Sequence, residues 1–422
     1  MLGETVRKAG NDATEAASQW ALISLCMLFN VIDGLDVMAM AFTASRVAAE
    51  WGLKGAELGT LLSASLLGMA VGSLLAGPRA DLYGRRPVLL TGLALSSLSM
   101  LLCFWSPNPY VLIGLRLLTG VGTGAILVGA NVLTYEHTSA HRRNLAIALQ
   151  SVAFALGASL GGLLAHVLNE YAGWRYVFLT GGLLTLAGAL AGACWLRESP
   201  AFMALDPQSP RTAPMTVTLR SAQYRELFAA GQWQQTLALA LALLLIMFCF
   251  YFVMSWTPTL MIHSGFSEKQ GVAVGMLLCA GGVIGALSLG LAANRFGCRR
   301  LLRGALLLNV ALMLLIVPSS HVAGLIVPVG IATGLLLNGM IAAMFILTPQ
   351  AFDTAIRTRG VGLVLATGRI GAILSPVIAG LLLDANWSTQ GLFAFFAGSQ
   401  VLAALLIGFG CGRAGRQTSK PC

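Results

Sequence analysis

Apolar runs long enough to cross a lipid bilayer recur along this chain with short polar breaks between them, and that recurrence leaves very few folds open. A crossing helix needs about 20 predominantly apolar residues. Runs of that kind fall near 20–43, 57–76, 87–106, 109–134, 144–168, 176–196, 235–260, 271–292, 301–318, 323–348, 360–384 and 389–411. Composition excludes a soluble fold: only 10% of the residues are charged and 57% are hydrophobic, against roughly 25% and 45–50% in soluble domains. The 49 glycines suit a helix bundle in lipid, where small residues let backbones approach. The formal charge of +10 sits in short loops and forms no basic patch, which argues against nucleic acid as a partner. Cys26, Cys103, Cys194, Cys249, Cys279 and Cys411 lie in or at the ends of apolar runs, without a Cys-x-x-Cys pair. They read as small buried hydrophobes, so neither a disulfide framework nor a metal site is expected, and no cofactor is implied. Residues 1–19 are polar and show no cleavable signal, so the first run is expected to remain as a helix.

The expected fold class is therefore an all-α membrane protein with twelve transmembrane helices in two six-helix bundles. The longest polar stretch, 197–234, holds Pro200, Pro207, Pro210 and Pro214 and reads as a linker. It separates a tail at 1–19 and a first bundle at 20–196 from a second bundle at 235–411 and a tail at 412–422. Charge sets the orientation. Of the 26 Lys and Arg, 20 fall in segments that share a side with the N-terminus, and Arg46, Lys54, Arg175 and Lys269 fall on the other. By the positive-inside rule both termini are expected in the cytoplasm. The halves also repeat each other. Gly77, Asp81 and Gly84 follow the second run, and Gly290, Asn294 and Gly297 follow the eighth at the same spacing, with Arg85 and Arg86 after the first copy and Arg299 and Arg300 after the second. Repeated halves are what a transporter needs if it closes alternately on either side of a central site.

The segment Gly77-Pro-Arg-Ala-Asp81-Leu-Tyr-Gly84-Arg85-Arg86 resembles the signature loop of the major facilitator superfamily, which follows helix two in that family. The resemblance implies a cytoplasmic gate, in which Asp81 accepts hydrogen bonds from a helix N-terminus or pairs with an arginine. Asn294, in place of the acid in the second copy, implies a weaker latch. Glu136 near the inner end of the fourth run, with His141, Arg142 and Arg143 after it, resembles the charged helix 4–5 loop and points to gating contacts or to anchoring. Arg116 followed by Gly120, Gly122 and Gly124 resembles the superfamily's helix-four motif, whose arginine is linked to proton coupling. An arginine bonded to backbone carbonyls is the alternative.

The first run carries Asn30, Asp33, Gly34 and Asp36. Residues three apart share a helix face, and two carboxylates amid apolar sequence cannot both ionise cheaply, which suits one of them to reversible protonation. Helix–helix hydrogen bonding is the alternative. Asp33-Gly-Leu-Asp36 resembles the Asp-Gly-x-Asp motif of the aromatic acid:proton symporters, a branch of the superfamily. The following Val37-Met-Ala-Met-Ala-Phe-Thr, Trp256-Thr-Pro258 and Gly368-Arg369-Ile-Gly371 look like that branch as well. Arg369, at mid-span, is the candidate to hold a substrate carboxylate through two parallel bonds, or else to serve as counter-ion to Asp33 or Asp36. Asn131 and Asn338 occupy corresponding runs and are read as cavity-lining or as packing. Tyr251 and Trp256, within an aromatic run that includes Phe248, Phe250 and Phe252, are candidates to stack on a substrate ring.

These readings converge on a proton-coupled importer of a small aromatic carboxylate, benzoate or hydroxybenzoate in class, working by alternating access in a bacterial-type inner membrane. Protons, the substrate and the lipid bilayer are the expected partners, and by resemblance the protein works as a monomer. The alternatives are an importer of another organic acid and a proton antiporter exporting drugs or metabolites. An enzyme is not expected, because no nucleophile–base pair is present, and the absence of a GxxxxGK[ST] loop points to a gradient as the energy source.

Overall fold

A computed structural model describes residues 2–138, 143–198, 200–203, 233–320, 322, 324–352 and 357–409, with several side chains, among them those of 2–19, outside the description. Twelve helices follow in order: α1 (Leu2–Trp51), α2 (Gly55–Tyr83), α3 (Arg85–Cys103), α4 (Pro109–His137), α5 (Arg143–Tyr171), α6 (Trp174–Trp195), α7 (Trp233–His263), α8 (Glu268–Phe296), α9 (Cys298–Ser320), α10 (Ile326–Gln350), α11 (Arg357–Asp384) and α12 (Thr389–Phe409). Each contains a segment long and apolar enough to cross a membrane. Most of the linker lies outside the described residues, apart from a helical turn at Pro200–Met203. α1 continues past 43, where the apolar run was expected to end, and carries Arg46 and Glu50 on its last turns.

Local chemistry fixes several helix starts. Asn108 precedes α4 and accepts from Val111 N at 2.9 Å, with Pro109 at the first helical position, where a missing N–H costs nothing. Ser267 and Gln270 form a reciprocal capping box at the start of α8: Gln270 N donates to Ser267 Oγ at 3.3 Å and Ser267 N donates to Gln270 Oε1 at 3.0 Å. Between α2 and α3 the chain turns at Gly84, whose φ of 103° is open to glycine and strained for other residues.

The two halves are built alike. The pairs α1–α5, α2–α4, α3–α4, α3–α6 and α1–α6 recur in the second half as α7–α11, α8–α10, α9–α10, α9–α12 and α7–α12. Equivalent pairs use equivalent glycines. A Cβ on Gly120 of α4 would overlap the carbonyl of Ser65 on α2, and a Cβ on Gly334 of α10 would overlap that of Leu278 on α8. Of the spaced glycines after Arg116, Gly120 and Gly124 therefore seat α4 against α2 at backbone contact, and Gly122 seats it against α3.

The halves meet through α2 on α11, α5 on α8 and α1 on α7. From mid-membrane to the end opposite the arginine-rich loops they are held by side-chain bonds. Ser63 Oγ donates to Ile373 O at 2.8 Å, Arg46 pairs with Glu268 at 2.5 Å, and Lys269 with Glu170 at 2.7 Å. That end of the bundle is closed.

Candidate functional site

The Asp-Gly-x-Asp sequence becomes intelligible once α1 is seen against α5. A Cβ on Gly34 would overlap the carbonyl of Phe154, so the glycine lets α1 lie on α5 while the flanking acids point elsewhere in the half. Gly34→Ala is expected to force the helices apart and cost about 1–3 kcal/mol, the usual range for overpacking, read as a lower melting temperature of the purified protein with both acids unchanged.

Asp33 and Asp36 are each 1% exposed, as is Arg116. Arg116 Nη1 lies 2.6 Å from Asp36 Oδ1 and its Nη2 donates to the Asp36 backbone oxygen at 3.1 Å. Its guanidinium also stands 5.6 Å from the Phe178 ring centroid, in cation–π range. Arg116 is thus bonded to a carboxylate and to a backbone carbonyl of the same residue. It, and not Arg369, is the counter-ion of Asp36.

Asp33 is placed differently. Its Oδ1 is buried with no hydrogen-bond partner, and the charges acting on it are those of Asp36 and, across the boundary between the halves, of Arg369. Arg369 is half-buried on α11 and donates from Nη1 to the thioether of Met69 on α2 at 3.3 Å, a weak acceptor for a guanidinium. Tyr251 on α7 lies beside both Arg369 and Asp33. An ion pair in the first half, with one Asp36 oxygen left over, therefore sits next to an acid that has no ion pair and an arginine in the second half that has no carboxylate bond among the described residues.

The other candidates are dispersed. Trp256 is fully buried and donates from Nε1 to Pro376 O at 3.1 Å, tying α7 to α11. Phe252 stacks on Phe396 of α12 at 3.9 Å, and Phe248 stacks on the same ring at 4.6 Å, so these two belong to the packing of α7 on α12. Asn338 donates to Gly334 O at 3.2 Å and its amide covers Gly282 of α8. Asn131 is half-buried on α4, about 20 Å along the axis from Arg116 at 1.5 Å per residue. Asn30 donates to the Gln150 side-chain oxygen, and Gln150 Nε2 donates to Thr134 Oγ1 at 2.8 Å. Gln150 is a polar residue in an apolar run, which is the sequence signal that marks it. Cys194, read from the sequence as a small buried hydrophobe, is exposed on the last turn of α6.

At the arginine-rich end, Arg85 Nη2 lies 3.3 Å from Glu136 Oε1, and Arg86 Nη2 donates to Ala193 O at 2.8 Å. The side chains of Asp81 and Asn294 lie outside the described residues, as do His141 and Arg142 and the side chain of Arg143. Gly77 has open space where a Cβ would go. Sequence reading missed Glu198, just after α6. Its carboxylate accepts from Arg85 N at 2.9 Å and from Arg86 N at 3.2 Å, capping α3 where Gly84 leaves room for it. Glu198→Ala is expected to lower stability by about 0.5–2 kcal/mol, the cost of a lost N-cap, with faster hydrogen exchange at the first turn of α3 as the local readout.

A bundle of twelve crossing helices in two matching halves, joined around a buried charge cluster, invites comparison with known proteins. Residues 26–331 and 280–421 match the Major Facilitator Superfamily. The chain belongs to that superfamily. It is a multi-pass membrane transporter and not an enzyme. The gallate transporter of Pseudomonas putida is 33% identical over 93% of this chain and 92% of its own length. The 4-hydroxybenzoate transporter PcaK of Pseudomonas aeruginosa is 33% identical over 92% of this chain and 90% of its own length. The resemblance to aromatic-acid transporters drawn from α1 is thereby borne out. The xylose transporter XylE of E. coli has the same fold, with a TM-score of 0.72 at 17% identity, covering 93% of this chain and 96% of that one.

Proposed function

We propose that this superfamily transporter imports a small aromatic carboxylate, benzoate or hydroxybenzoate in class, together with a proton, by alternating access. The observation that carries the reading is the division within the charge cluster. Asp36 is paired with Arg116 through Oδ1, with Oδ2 left free, whereas Asp33 has no ion pair among the described residues and stands near Arg369, which is bonded to the Met69 thioether and the Tyr251 hydroxyl and to no carboxylate among those residues. The relatives named for gallate and 4-hydroxybenzoate supply the substrate class. Arg369 takes the substrate carboxylate, and Tyr251 stands where an aromatic ring bound there would pass. Asp33 carries the proton: protonated, it leaves Arg369 to the substrate; deprotonated, it reclaims Arg369 and favours release. Asp36 and Arg116 hold α1 and α4 in register beside it. Asn131, Asn338 and Trp256 shape the walls at a greater remove, while Gly77, Asp81, Gly84, Arg85, Arg86, Glu136 and Asn294 form the gate at the arginine-rich end. The excess of Lys and Arg supports the reading that this end, with both termini, faces the cytoplasm, and proton coupling calls for an inner membrane that carries a proton gradient.

The reading is tested by uptake of radiolabelled benzoate, 4-hydroxybenzoate and gallate into proteoliposomes under an imposed inward proton gradient. Uptake above equilibrium that collapses with a protonophore is expected for at least one acid. Accumulation of none of the three, in vesicles with verified insertion, would reject the substrate class. Gradient-driven expulsion would replace import with antiport.

A further inference from the structure

The closed end of the bundle contains a contact of a kind unlike the ion pairs around it. Asp384 is the last residue of α11, in the second half. Its Oδ1 accepts from Gly55 N at 2.6 Å and its Oδ2 from Ala56 N at 2.8 Å. Those are the first two backbone N–H groups of α2, in the first half. One carboxylate thus caps a helix of the opposite half with both oxygens. The seam beneath it is built for that approach: Cβ atoms on Gly55 and Gly380 would each overlap the other's carbonyl, and one on Gly59 would overlap that of Pro376. Ser63 then bonds to Ile373 further down the same seam.

Asp384 is exposed, as the neighbouring ion pairs partly are, so the difference lies in what each contact binds. Arg46–Glu268 and Lys269–Glu170 join partly exposed side chains, from 28% to 60% exposed, and pairs of that kind contribute little in water. The Asp384 contact satisfies two otherwise orphaned donors and places a negative charge at the positive end of the α2 dipole. The contact exists only while α2 and α11 touch at this end. Separating the halves at this end takes the carboxylate from both N–H groups and leaves them to water.

We propose that Asp384 is a gating residue, a latch that caps α2 across the two halves and sets how much of the time this end stays closed. The proposal rests on the alternating-access reading and is independent of the substrate. It is tested with thiols introduced one at a time in the full-length protein in detergent, their reaction with a maleimide followed peptide by peptide by mass spectrometry. Ser63→Cys reports the closed seam, where Ser63 is 5% exposed. Ala366→Cys, at an exposed position one turn from Arg369 towards the arginine-rich end, reports the opposite side.

Asp384→Ala is expected to speed labelling at position 63 by roughly 2- to 30-fold, the span that lost N-caps cover, and to slow it at position 366. Asp384→Asn, which keeps one acceptor oxygen, falls between. Gly59→Leu, which wedges the seam without touching the cap, shifts both reporters in the same directions. Faster labelling at both positions would mean general loosening and would overturn the latch. So would a shift with Gly59→Leu and none with Asp384→Ala. If Gly59→Leu also moves neither reporter, alternating access itself fails, and the latch with it.

Discussion

Asp36→Ala is expected to destabilise the protein by about 3–5 kcal/mol, the cost of stranding one member of a buried ion pair. Arg116 is 1% exposed, and Asp36 supplies two of its bonds, one from the carboxylate and one from the backbone oxygen. Removing the carboxylate leaves a guanidinium with no charge to face and no route to water. The loss should appear as a clear drop in melting temperature in detergent and poor recovery from the membrane. The double variant Asp36→Leu with Arg116→Met is expected to recover most of that stability, because an apolar pair of similar volume removes both desolvation costs. Effects of the two single variants that simply add in the double would show that the pair is not coupled and would sink the argument. Uptake separates structure from function. If the pair only holds α1 and α4 together, the double variant transports. That is the outcome expected here; a double variant that folds and stays inactive would show that the charges of the pair take part in the cycle.

How much of this was legible beforehand depends on what fixes each feature. The twelve crossings were legible because lipid offers the backbone no partner and so demands a long apolar run for each helix. The repeat was legible because the same loop chemistry returns after α2 and α8. In α1 the face shared by Asp33 and Asp36 follows from helical spacing alone. Their partners do not. Arg116 stands 80 residues from Asp36 in the chain, and no local pattern states which of two mid-membrane arginines points at which acid. The division between a closed pair and an open one is a fact of tertiary packing. Trp256 shows the same limit: its place near the end of an apolar run suits an interface residue, and only the fold reveals that its indole is buried against Pro376. Glu198 and Asp384 were illegible for a different reason. Each is a single acid at a helix end, which by sequence is an ordinary solvated residue, and each acquires its role from the N-terminus of another helix brought to it.

Asp33→Asn is expected to separate binding from energy coupling. On the proposed mechanism the Asp33 carboxylate and the substrate carboxylate compete for Arg369, so protonating Asp33 favours the substrate. Affinity should then rise as pH falls, by at most about tenfold per pH unit for one linked proton. An asparagine is nearly the same size and permanently neutral, so it imitates the protonated acid. Binding of 4-hydroxybenzoate to the variant should be as tight as the native protein shows at low pH, and flat across pH. Exchange of labelled for unlabelled substrate across proteoliposomes should persist, while an imposed proton gradient should drive no accumulation. Arg369→Ala should do the opposite and weaken binding at every pH. Each hydrogen bond to a charged group contributes about 1.5–3 kcal/mol, so losing a two-bonded carboxylate contact costs on the order of 100-fold or more in affinity. Gradient-driven accumulation by Asp33→Asn would take the proton away from Asp33. The remaining acid of the cluster is Asp36, whose unpartnered Oδ2 is open to a proton that would weaken its 2.6 Å bond to Arg116 through Oδ1. In that case the closed pair, and not the open one, would be the part of the site that moves.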